Sequence, residues 1–199
     1  MKAQKSPYSR IELLRYSELS YKDKSLFPPY YDPKGFCDAL RKIKVLALDF
    51  DGVFTDDRVV VSEEGLESVI CSRTDGMGIE LLRKLTDINA IVLSKEQNKV
   101  VAERCKKMQI PCTHDIEKKL EQLQQVVQEY GVNLSDVAFV GNDVNDNACL
   151  QAAGMGIAVV NAHPSTINVA DYVTKARGGY GAVREVCENI LHAREIDFC

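Results

Sequence analysis

Acidic, hydroxyl and amide side chains stand at the ends of three short apolar runs in the chain. The runs are 43–50, 90–94 and 137–141, and the polar residues that end or follow them are Asp49, Asp51, Ser94, Asn142, Asp143 and Asp146. Short apolar runs are typical of buried parallel strands. Because ligands bind beyond the carboxyl ends of such strands, we expect these side chains to meet in one site.

The two aspartates of the first run carry the most specific chemistry. Asp49 and Asp51 are two residues apart, so both can face the same side at the end of a strand. One carboxylate can attack a phosphorus atom in line, and the other can protonate the leaving oxygen and then deprotonate the water that cleaves the acyl-phosphate. The Ser94 hydroxyl and a lysine that begins a later helix, Lys118 or Lys119, can hold the non-bridging oxygens. These groups suffice for phosphoryl transfer, which depends mainly on positioning and charge stabilisation.

The number of carboxylates in this set indicates a cation. Carboxylates gathered at one place repel one another unless a positive charge lies among them. Oxygen ligands suit Mg²⁺, which keeps several waters and also binds phosphate. The sequence therefore predicts a magnesium-dependent reaction at a phosphate group.

Strands and helices alternate along the part of the chain that must position these side chains. Besides the three runs, residues 156–160 predict a fourth buried strand, and the turn around Gly65 predicts a hairpin over 58–71. Apolar residues at helical spacing predict helices over about 75–86, 96–108, 116–130 and 181–194. This alternation predicts an α/β fold with a three-layer, Rossmann-like parallel sheet, a β-hairpin insertion and no large cap domain.

Composition and charge exclude several classes of function. The 199 residues include 25 basic and 29 acidic side chains, and the net charge of −4 argues against a general nucleic-acid binder. No apolar run approaches the ~20 residues of a membrane span, and the first residues lack the apolar stretch of a signal peptide. The 7 cysteines form no C-x-x-C pair, which favours reduced thiols. We therefore expect a cytoplasmic protein with no nucleic-acid and no membrane partner.

Residues 1–40 differ in composition from the remainder of the chain. They contain half of its aromatic side chains, and Pro28, Pro29 and Pro33 interrupt regular structure there. A disordered tail would be poor in aromatic residues. We therefore expect an aromatic-rich N-terminal arm at 1–40 that packs on the domain at 41–199 or on another subunit, with a floppy end as the remaining alternative.

The residues at the strand ends also carry a family resemblance. Residues 49–55, DFDGVFT, resemble the first motif, D-x-D-G-x-[TV], of the haloacid dehalogenase superfamily of phosphohydrolases. Ser94, Lys119 with its following leucine, and GNDVND at 141–146 match the other three motifs in the order that this family has. The four motifs together identify the chain as similar to this family.

Three further segments narrow the resemblance to a subgroup. RTDGMGIELL at 73–82 and the glycine-rich stretch 177–191 resemble the capless subgroup that contains 3-deoxy-D-manno-octulosonate 8-phosphate phosphatase. SKEQNKVVAERCKKM at 94–108 is similar to phosphatase-like domains fused to acylneuraminate cytidylyltransferases. The resemblance leaves residues 1–40 uncovered.

The resemblance implies a role for each matching residue. The expected catalytic residues are Asp49 as nucleophile, Asp51 as acid and base, and Ser94 and Lys119. The expected metal ligands are Asp49, Asp51, Asn142 and Asp143, with Asp146 behind them. The expected substrate contacts are Thr55, Arg73, Gly76 and Lys95. Relatives often have G-D-D where this chain has Gly141-Asn142-Asp143. A neutral amide then replaces a ligating carboxylate, so weaker magnesium binding is expected, and either Asn142 or Asp143 is the ligand.

The resemblance further implies a magnesium-dependent phosphatase that removes the terminal phosphate of a 2-keto-3-deoxy sugar acid through an aspartyl-phosphate. The likeness to the cytidylyltransferase-fused domains slightly favours a nonulosonate 9-phosphate over an octulosonate 8-phosphate. The alternatives are a non-catalytic oligomerisation module and a phosphatase of another small phosphate ester. Because the hairpin alone is too small to cover an open site, we expect a homotetramer in which each subunit caps its neighbour.

Overall fold

A six-stranded parallel sheet forms the centre of the computed structural model, which describes residues 33–198. Its strands lie in the order β5-β4-β1-β6-β7-β8. They are β1 (Val45–Leu48), β4 (Asn89–Leu93), β5 (Cys112–Thr113), β6 (Val137–Gly141), β7 (Met155–Ala158) and β8 (Tyr172–Val173). Connections leave β1 and β6 in opposite directions, so a crevice opens between the carboxyl ends of these two neighbouring strands.

Two groups of helices flank this sheet. The helices are α1 (Pro33–Arg41), α2 (Arg73–Leu85), α3 (Val100–Met108), α4 (Lys119–Glu129), α5 (Asn147–Ala152), α6 (Pro164–Val169) and α7 (Ala182–Ala193). One group consists of α1, α2, α3 and α7, and the other of α4, α5 and α6. This arrangement confirms the predicted α/β class and its parallel sheet. Within residues 33–198, no helix has the length and apolar character needed to cross a membrane.

The apolar runs of the sequence form the buried core, as their composition predicts. Every residue of β1 and β6 is buried, because strands covered by helices on both faces have no solvated side. Phe36 and Leu40 of α1 also lie in the core, and the Phe36 ring packs 4.8 Å from that of Tyr172. This end of the aromatic-rich segment therefore packs on its own domain, while the expectations for residues 1–32 lie outside the described residues.

Helix α3 is shorter than its periodicity predicts. The pattern predicts a start near residue 96, but the helix begins at Val100. The Asn98 side chain accepts a hydrogen bond from the Val100 backbone N–H at 2.7 Å, and the Ser94 hydroxyl accepts one from the Glu96 N–H at 3.1 Å. These local bonds hold residues 94–99 as a loop at the edge of the crevice.

The predicted hairpin is present as a separate two-stranded sheet, β2 (Thr55–Val61) with β3 (Glu67–Cys71). The strands are antiparallel, and Val59 pairs with Val69. Gly65 adopts a φ of +76° in the connecting turn, where residues with a Cβ are strained. The hairpin is the only insertion between β1 and α2 in this described part of the chain, so no large cap domain is present there.

Asp75, in the glycine-containing stretch at the start of α2, connects that helix to α7. Its side chain is fully buried and accepts hydrogen bonds from the backbone N–H groups of Gly181 (3.3 Å) and Arg184 (2.9 Å). These donors belong to the first turn of α7, where backbone N–H groups have no partner within the helix. Burial raises the pKa of Asp75, and the hydrogen bonds from α7 oppose that rise.

Asp75→Ala should therefore destabilise the fold without touching the crevice. We expect the free energy of unfolding to fall by about 1–3 kcal/mol, because the buried donors of α7 lose their acceptor. Urea denaturation followed by circular dichroism measures the loss. Asp75→Asn keeps one side-chain acceptor oxygen and should lose less; equal stability of Asp75→Ala and the wild-type chain would contradict this role.

Candidate active site

Asp49 and Asp51 lie where β1 ends, in the crevice between β1 and β6. The Asp49 backbone N–H donates to the Val140 carbonyl at 2.9 Å, which continues the pairing with β6 beyond the end of β1. The Asp49 carboxylate is buried and accepts a hydrogen bond from the Phe50 N–H at 2.8 Å. Its position is therefore fixed by the backbone on both sides.

Lys119, the first residue of α4, lies between two buried carboxylates. Its Nζ is 2.9 Å from Asp49 Oδ1 and 2.7 Å from Asp146 Oδ1. Lys118 instead points away from the crevice and pairs with Glu121 at the exposed surface. Of the two candidate lysines, the structure brings Lys119 to the aspartates.

Asp146 also shapes the loop that follows β6. Its Oδ2 accepts hydrogen bonds from the backbone N–H groups of Asn142 (2.9 Å) and Asp143 (3.4 Å). One fully buried carboxylate thus holds the ammonium of Lys119 and the backbone of the loop at once. Asp146 therefore binds the backbone of the loop that contains Asn142 and Asp143.

The charges of the site do not balance. Burial and the neighbouring Asp146 raise the pKa of Asp49 well above its usual range, although Lys119 opposes the rise. Burial, together with Glu96 and Asp57, raises the pKa of Asp51 to about 6. Burial lowers the pKa of Lys119, but Asp49 and Asp146 raise it by more. The ammonium is therefore retained, and an excess of negative charge remains that a further cation would neutralise.

The donor atoms of the site fit a magnesium ion that keeps most of its waters. Asp51 Oδ2 is buried without a hydrogen-bond partner, and Asp49, Asn142 and Asp143 place further oxygen atoms after the ends of the neighbouring strands β1 and β6. No group of three or more His, Cys, Asp or Glu side chains within residues 33–198 is arranged as a complete metal cage. Mg²⁺ needs no such cage, because one or two carboxylates, waters and the substrate phosphate suffice.

Gly52 and Thr55 shape the turn after the aspartates. Gly52 adopts a φ of +72°, and a Cβ at this position would collide with the Asn142 amide. The buried Thr55 hydroxyl accepts a hydrogen bond from the Gly52 N–H at 3.0 Å, and its contact with Asp51 lowers the pKa of that carboxyl. Thr55 thus supports the backbone and the acid of the site.

The glycine-rich segment 177–181 packs against the same turn. The Gly179 N–H donates to the Val53 carbonyl at 3.0 Å, and the Gly178 N–H donates to Asn161 Oδ1 at 2.9 Å. A Cβ on Gly179 would lie 2.6 Å from the Asp56 nitrogen. Glycine therefore allows two backbones to approach where any side chain would separate them.

A cavity of about 220 Å³ opens beside Asp51. It lies between the hairpin and the loop 94–99, with Val59 and Val69 on one side and Val100 and Val101 on the other. Arg58 and three acidic residues, Asp57, Glu67 and Glu96, also line it. Asp51 is therefore shared between the buried aspartate cluster and this cavity.

The substrate contacts expected from the sequence separate into two groups. Thr55 lies in the turn of the site, whereas Arg73 and Lys95 are exposed and do not line the cavity, and Gly76 faces Arg104 of α3. Arg58, which does line it, has no signal in the sequence because it reads as an ordinary residue of a hairpin strand.

The sequence also gives no indication that Asp57 lies at the site. Asp57 adopts a φ of +66°, unusual for a residue with a Cβ, and its carboxylate lies near Asp143. A run of two aspartates before Arg58 gives no indication of this backbone, since left-handed geometry depends on the fold around it.

Comparison with known proteins agrees with this geometry. The family of haloacid dehalogenase-like hydrolases matches residues 79–185. 3-Deoxy-D-manno-octulosonate 8-phosphate phosphatase KdsC of Escherichia coli K12 is 34% identical over 76% of this chain and 81% of its own. The chain belongs to the haloacid dehalogenase-like hydrolases. It is a phosphoric monoester hydrolase, as the predicted aspartate motifs indicate.

Solved structures of this hydrolase family share the fold. The 3-deoxy-D-manno-octulosonate 8-phosphate phosphatase of Moraxella catarrhalis, in complex with a magnesium ion, a phosphate ion and 3-deoxy-D-manno-octulosonate (KDO), has a TM-score of 0.79 and 32% identity; the match covers 81% of this chain and 93% of that one. A HAD family hydrolase of Streptomyces avermitilis has a TM-score of 0.74 and 43% identity, covering 76% and 87%. The Moraxella structure shows that a hydrolase of this group binds a magnesium ion together with phosphate.

Lys119→Met should abolish most of the activity, whereas Lys118→Met should not. Without the ammonium, two buried carboxylates face each other and a donor for phosphate oxygens is lost, so we expect kcat to fall by about 10²-fold or more. Hydrolysis of p-nitrophenyl phosphate measures kcat, and circular dichroism checks the fold. Lys119→Arg retains the charge if Lys119→Met fails to fold. Equal losses in Lys118→Met and Lys119→Met would contradict the assignment.

Proposed function

We propose that this hydrolase is a magnesium-dependent phosphatase that removes the terminal phosphate of a 2-keto-3-deoxy sugar acid. The observation that carries the proposal is the buried Asp49 carboxylate, held 2.9 Å from Lys119 with Asp51 beside a cavity. The named activity of the KdsC relatives supports the substrate class and favours an octulosonate 8-phosphate. The nonulosonate 9-phosphate indicated by the sequence stays as the competing substrate.

The proposed reaction has two steps on Asp49. Its carboxylate oxygen attacks phosphorus, the bond to the sugar oxygen breaks, and Asp51 gives that oxygen a proton. Asp51 then takes a proton from water, whose oxygen attacks the aspartyl-phosphate and releases inorganic phosphate and the Asp49 carboxylate. The raised pKa of Asp51, about 6, suits a group that gives and retakes a proton near neutral pH.

The remaining groups hold the phosphate during both steps. Lys119 uses two of its three N–H donors on Asp49 and Asp146, so one is left for a phosphate oxygen. The hydroxyl of Ser94, the residue that follows β4, provides a second donor. Magnesium, held by Asp49, the Asp51 backbone carbonyl and either Asn142 or Asp143, would neutralise charge on the phosphate oxygens when bound.

The sugar acid would occupy the cavity beside Asp51. An acid that protonates the leaving oxygen must touch the leaving group, so the cavity lined by Asp51 holds that group. Arg58 in its wall binds Asp56 Oδ2 through Nη2 (2.8 Å) and Nε (3.1 Å). A guanidinium is suited to a second carboxylate, which a sugar acid carries and a neutral sugar phosphate lacks.

A panel of phosphate esters tests the proposal. We expect the highest kcat/KM for an octulosonate 8-phosphate or a nonulosonate 9-phosphate, at least about tenfold above that for glucose 6-phosphate and nucleoside monophosphates. The reason is that only the sugar acids carry a carboxylate that the Arg58 guanidinium can bind. Released inorganic phosphate is the measurement, and Asp49→Asn supplies the background.

Two further results bear on that panel. Arg58→Ala should reduce kcat/KM for the acids and leave that for glucose 6-phosphate nearly unchanged. Preference of the wild-type enzyme for nucleotides or small esters would overturn the substrate class, and activity of Asp49→Asn equal to wild type would overturn the mechanism.

We also propose that the enzyme is a homotetramer assembled through its hairpins. Five large apolar side chains of the hairpin are each more than half exposed: Val59, Val60, Val61, Leu66 and Ile70. Exposed apolar clusters of this kind mark contact surfaces. A small cavity beside such a surface would be covered by a neighbouring subunit.

Light scattering after size exclusion should give about 89 kDa, four times the 22.2 kDa of the chain. Val60→Lys combined with Ile70→Lys should yield monomers, because charge would enter the apolar contact. Leu85→Lys alters an exposed leucine outside the hairpin and should leave the mass unchanged. A wild-type monomer at micromolar concentration would contradict the assembly.

A further inference from the structure

The loop after β6 lacks a carboxylate where its charge would be most useful. Asn142 is neutral, yet its side chain lies against Gly52, the residue that follows Asp51, and its backbone N–H binds Asp146. Asp146 cannot replace the missing charge, because its two oxygens bind Lys119 and the loop backbone. Asp143 Oδ1 is engaged as well, since it accepts a hydrogen bond from the Val144 N–H at 2.6 Å.

Asp57 places a carboxylate at this position from the opposite side of the crevice. Its Oδ1 lies 3.5 Å from Asn142 Nδ2, and the absence of a Cβ on Gly52 leaves room for both groups. Asp57 also lines the cavity that Asp51 lines. Among residues 33–198, this long contact is the one hydrogen bond described for the Asp57 carboxylate, so its oxygens are available to a ligand.

The backbone of Asp57 is held in the position that this contact requires. Its φ of +66° is left-handed, and its N–H donates to the Thr55 hydroxyl at 3.2 Å, the same hydroxyl that binds the Gly52 N–H. Left-handed geometry is unfavourable for a residue with a Cβ, and functional sites are one of the places where such residues cluster. The turn that carries Asp51 therefore also fixes Asp57.

We propose that Asp57 supplies to the magnesium site the negative charge that Asn142 lacks, directly or through a metal-bound water. The proposal rests on the metal dependence proposed above and concerns which residue provides the carboxylate. The charge belongs to the hairpin side of the crevice rather than to the loop after β6. Compared with relatives that have G-D-D at this loop, the number of carboxylates around the ion would be the same, although one of them comes from a different position.

Magnesium titration of four full-length proteins by calorimetry, without phosphate or substrate, tests the exchange. Asp57→Gly should weaken Mg²⁺ binding by about tenfold or more, because a charge is removed while glycine suits the backbone. Asn142→Asp should tighten binding. The double variant Asp57→Gly, Asn142→Asp should bind within about threefold of wild type, because the charge is moved and not lost.

Glu195→Gly is the matched control for this experiment. Glu195 is also an acid at positive φ, +59°, but it pairs with Arg41 of α1, away from the crevice. We expect its Mg²⁺ affinity to equal that of wild type. This control separates the loss of a charge at the site from a general change in net charge and backbone preference.

Three outcomes would overturn the inference. Equal Mg²⁺ affinity of Asp57→Gly and wild type would remove Asp57 from the metal site while the proposed function stands. The same result with a raised KM for the sugar acid would assign Asp57 to substrate binding. A wild-type protein that hydrolyses the panel without binding Mg²⁺ would overturn both this inference and the proposed metal dependence.

Discussion

The shared ammonium of Lys119 is the interaction on which the active site depends. It joins the end of β1, the start of α4 and the loop after β6, three segments that are far apart in the chain. A buried charge is tolerated only when it is paired, so α4 must begin at this residue and its first turn must face the sheet. Because two carboxylates share one cation, the cluster retains negative charge. The same arrangement that holds the segments together thus creates the demand for a metal ion.

Most of the remaining geometry is built from backbone. Asp146 orders its loop through N–H groups, Thr55 orders the turn after Asp51, and glycines 178 and 179 contribute main-chain contacts to that turn. Such contacts leave few side chains free to form a lid. The hairpin beside the cavity is mostly exposed, and several of its apolar side chains, among them Val60, Leu66 and Ile70, are exposed. The crevice at the aspartate cluster is therefore built mainly from backbone contacts, and the cavity beside the hairpin is open on one side.

The sequence predicts the buried aspartate cluster of this site better than the residues that line the cavity. The apolar runs predict β6 to the residue, and the run 43–50 encloses the shorter β1, because a strand buried on both faces has no polar positions to obscure its pattern. Asp49, Asp51 and Asp146 follow from the ends of those strands, whereas the choice of Lys119 over Lys118 follows from the family resemblance. Arg58 and Asp57 do not, since their importance arises from a left-handed turn and from the packing of the hairpin on the loop 94–99. The start of α3 escaped prediction for a similar reason: the Asn98 side chain binds the Val100 N–H and holds the residues before the helix as a loop.

The central position of β1 affects how the protein is made. Val45 pairs with Asn89 on one side and with Val137 on the other, so this strand has no complete neighbours until most of the chain exists. At ribosomal speeds of about 5–20 residues per second, the interval between synthesis of β1 and of β6 is roughly 5–20 s. Throughout that time the apolar segment of β1 lacks its complete neighbours in the sheet, and Asp49 has no Lys119 ammonium beside it in a folded cluster. A nascent chain that has not reached β6 also lacks Asp146 and cannot complete the buried cluster, and shielding by a chaperone would matter most for the segment that later lies deepest in the sheet.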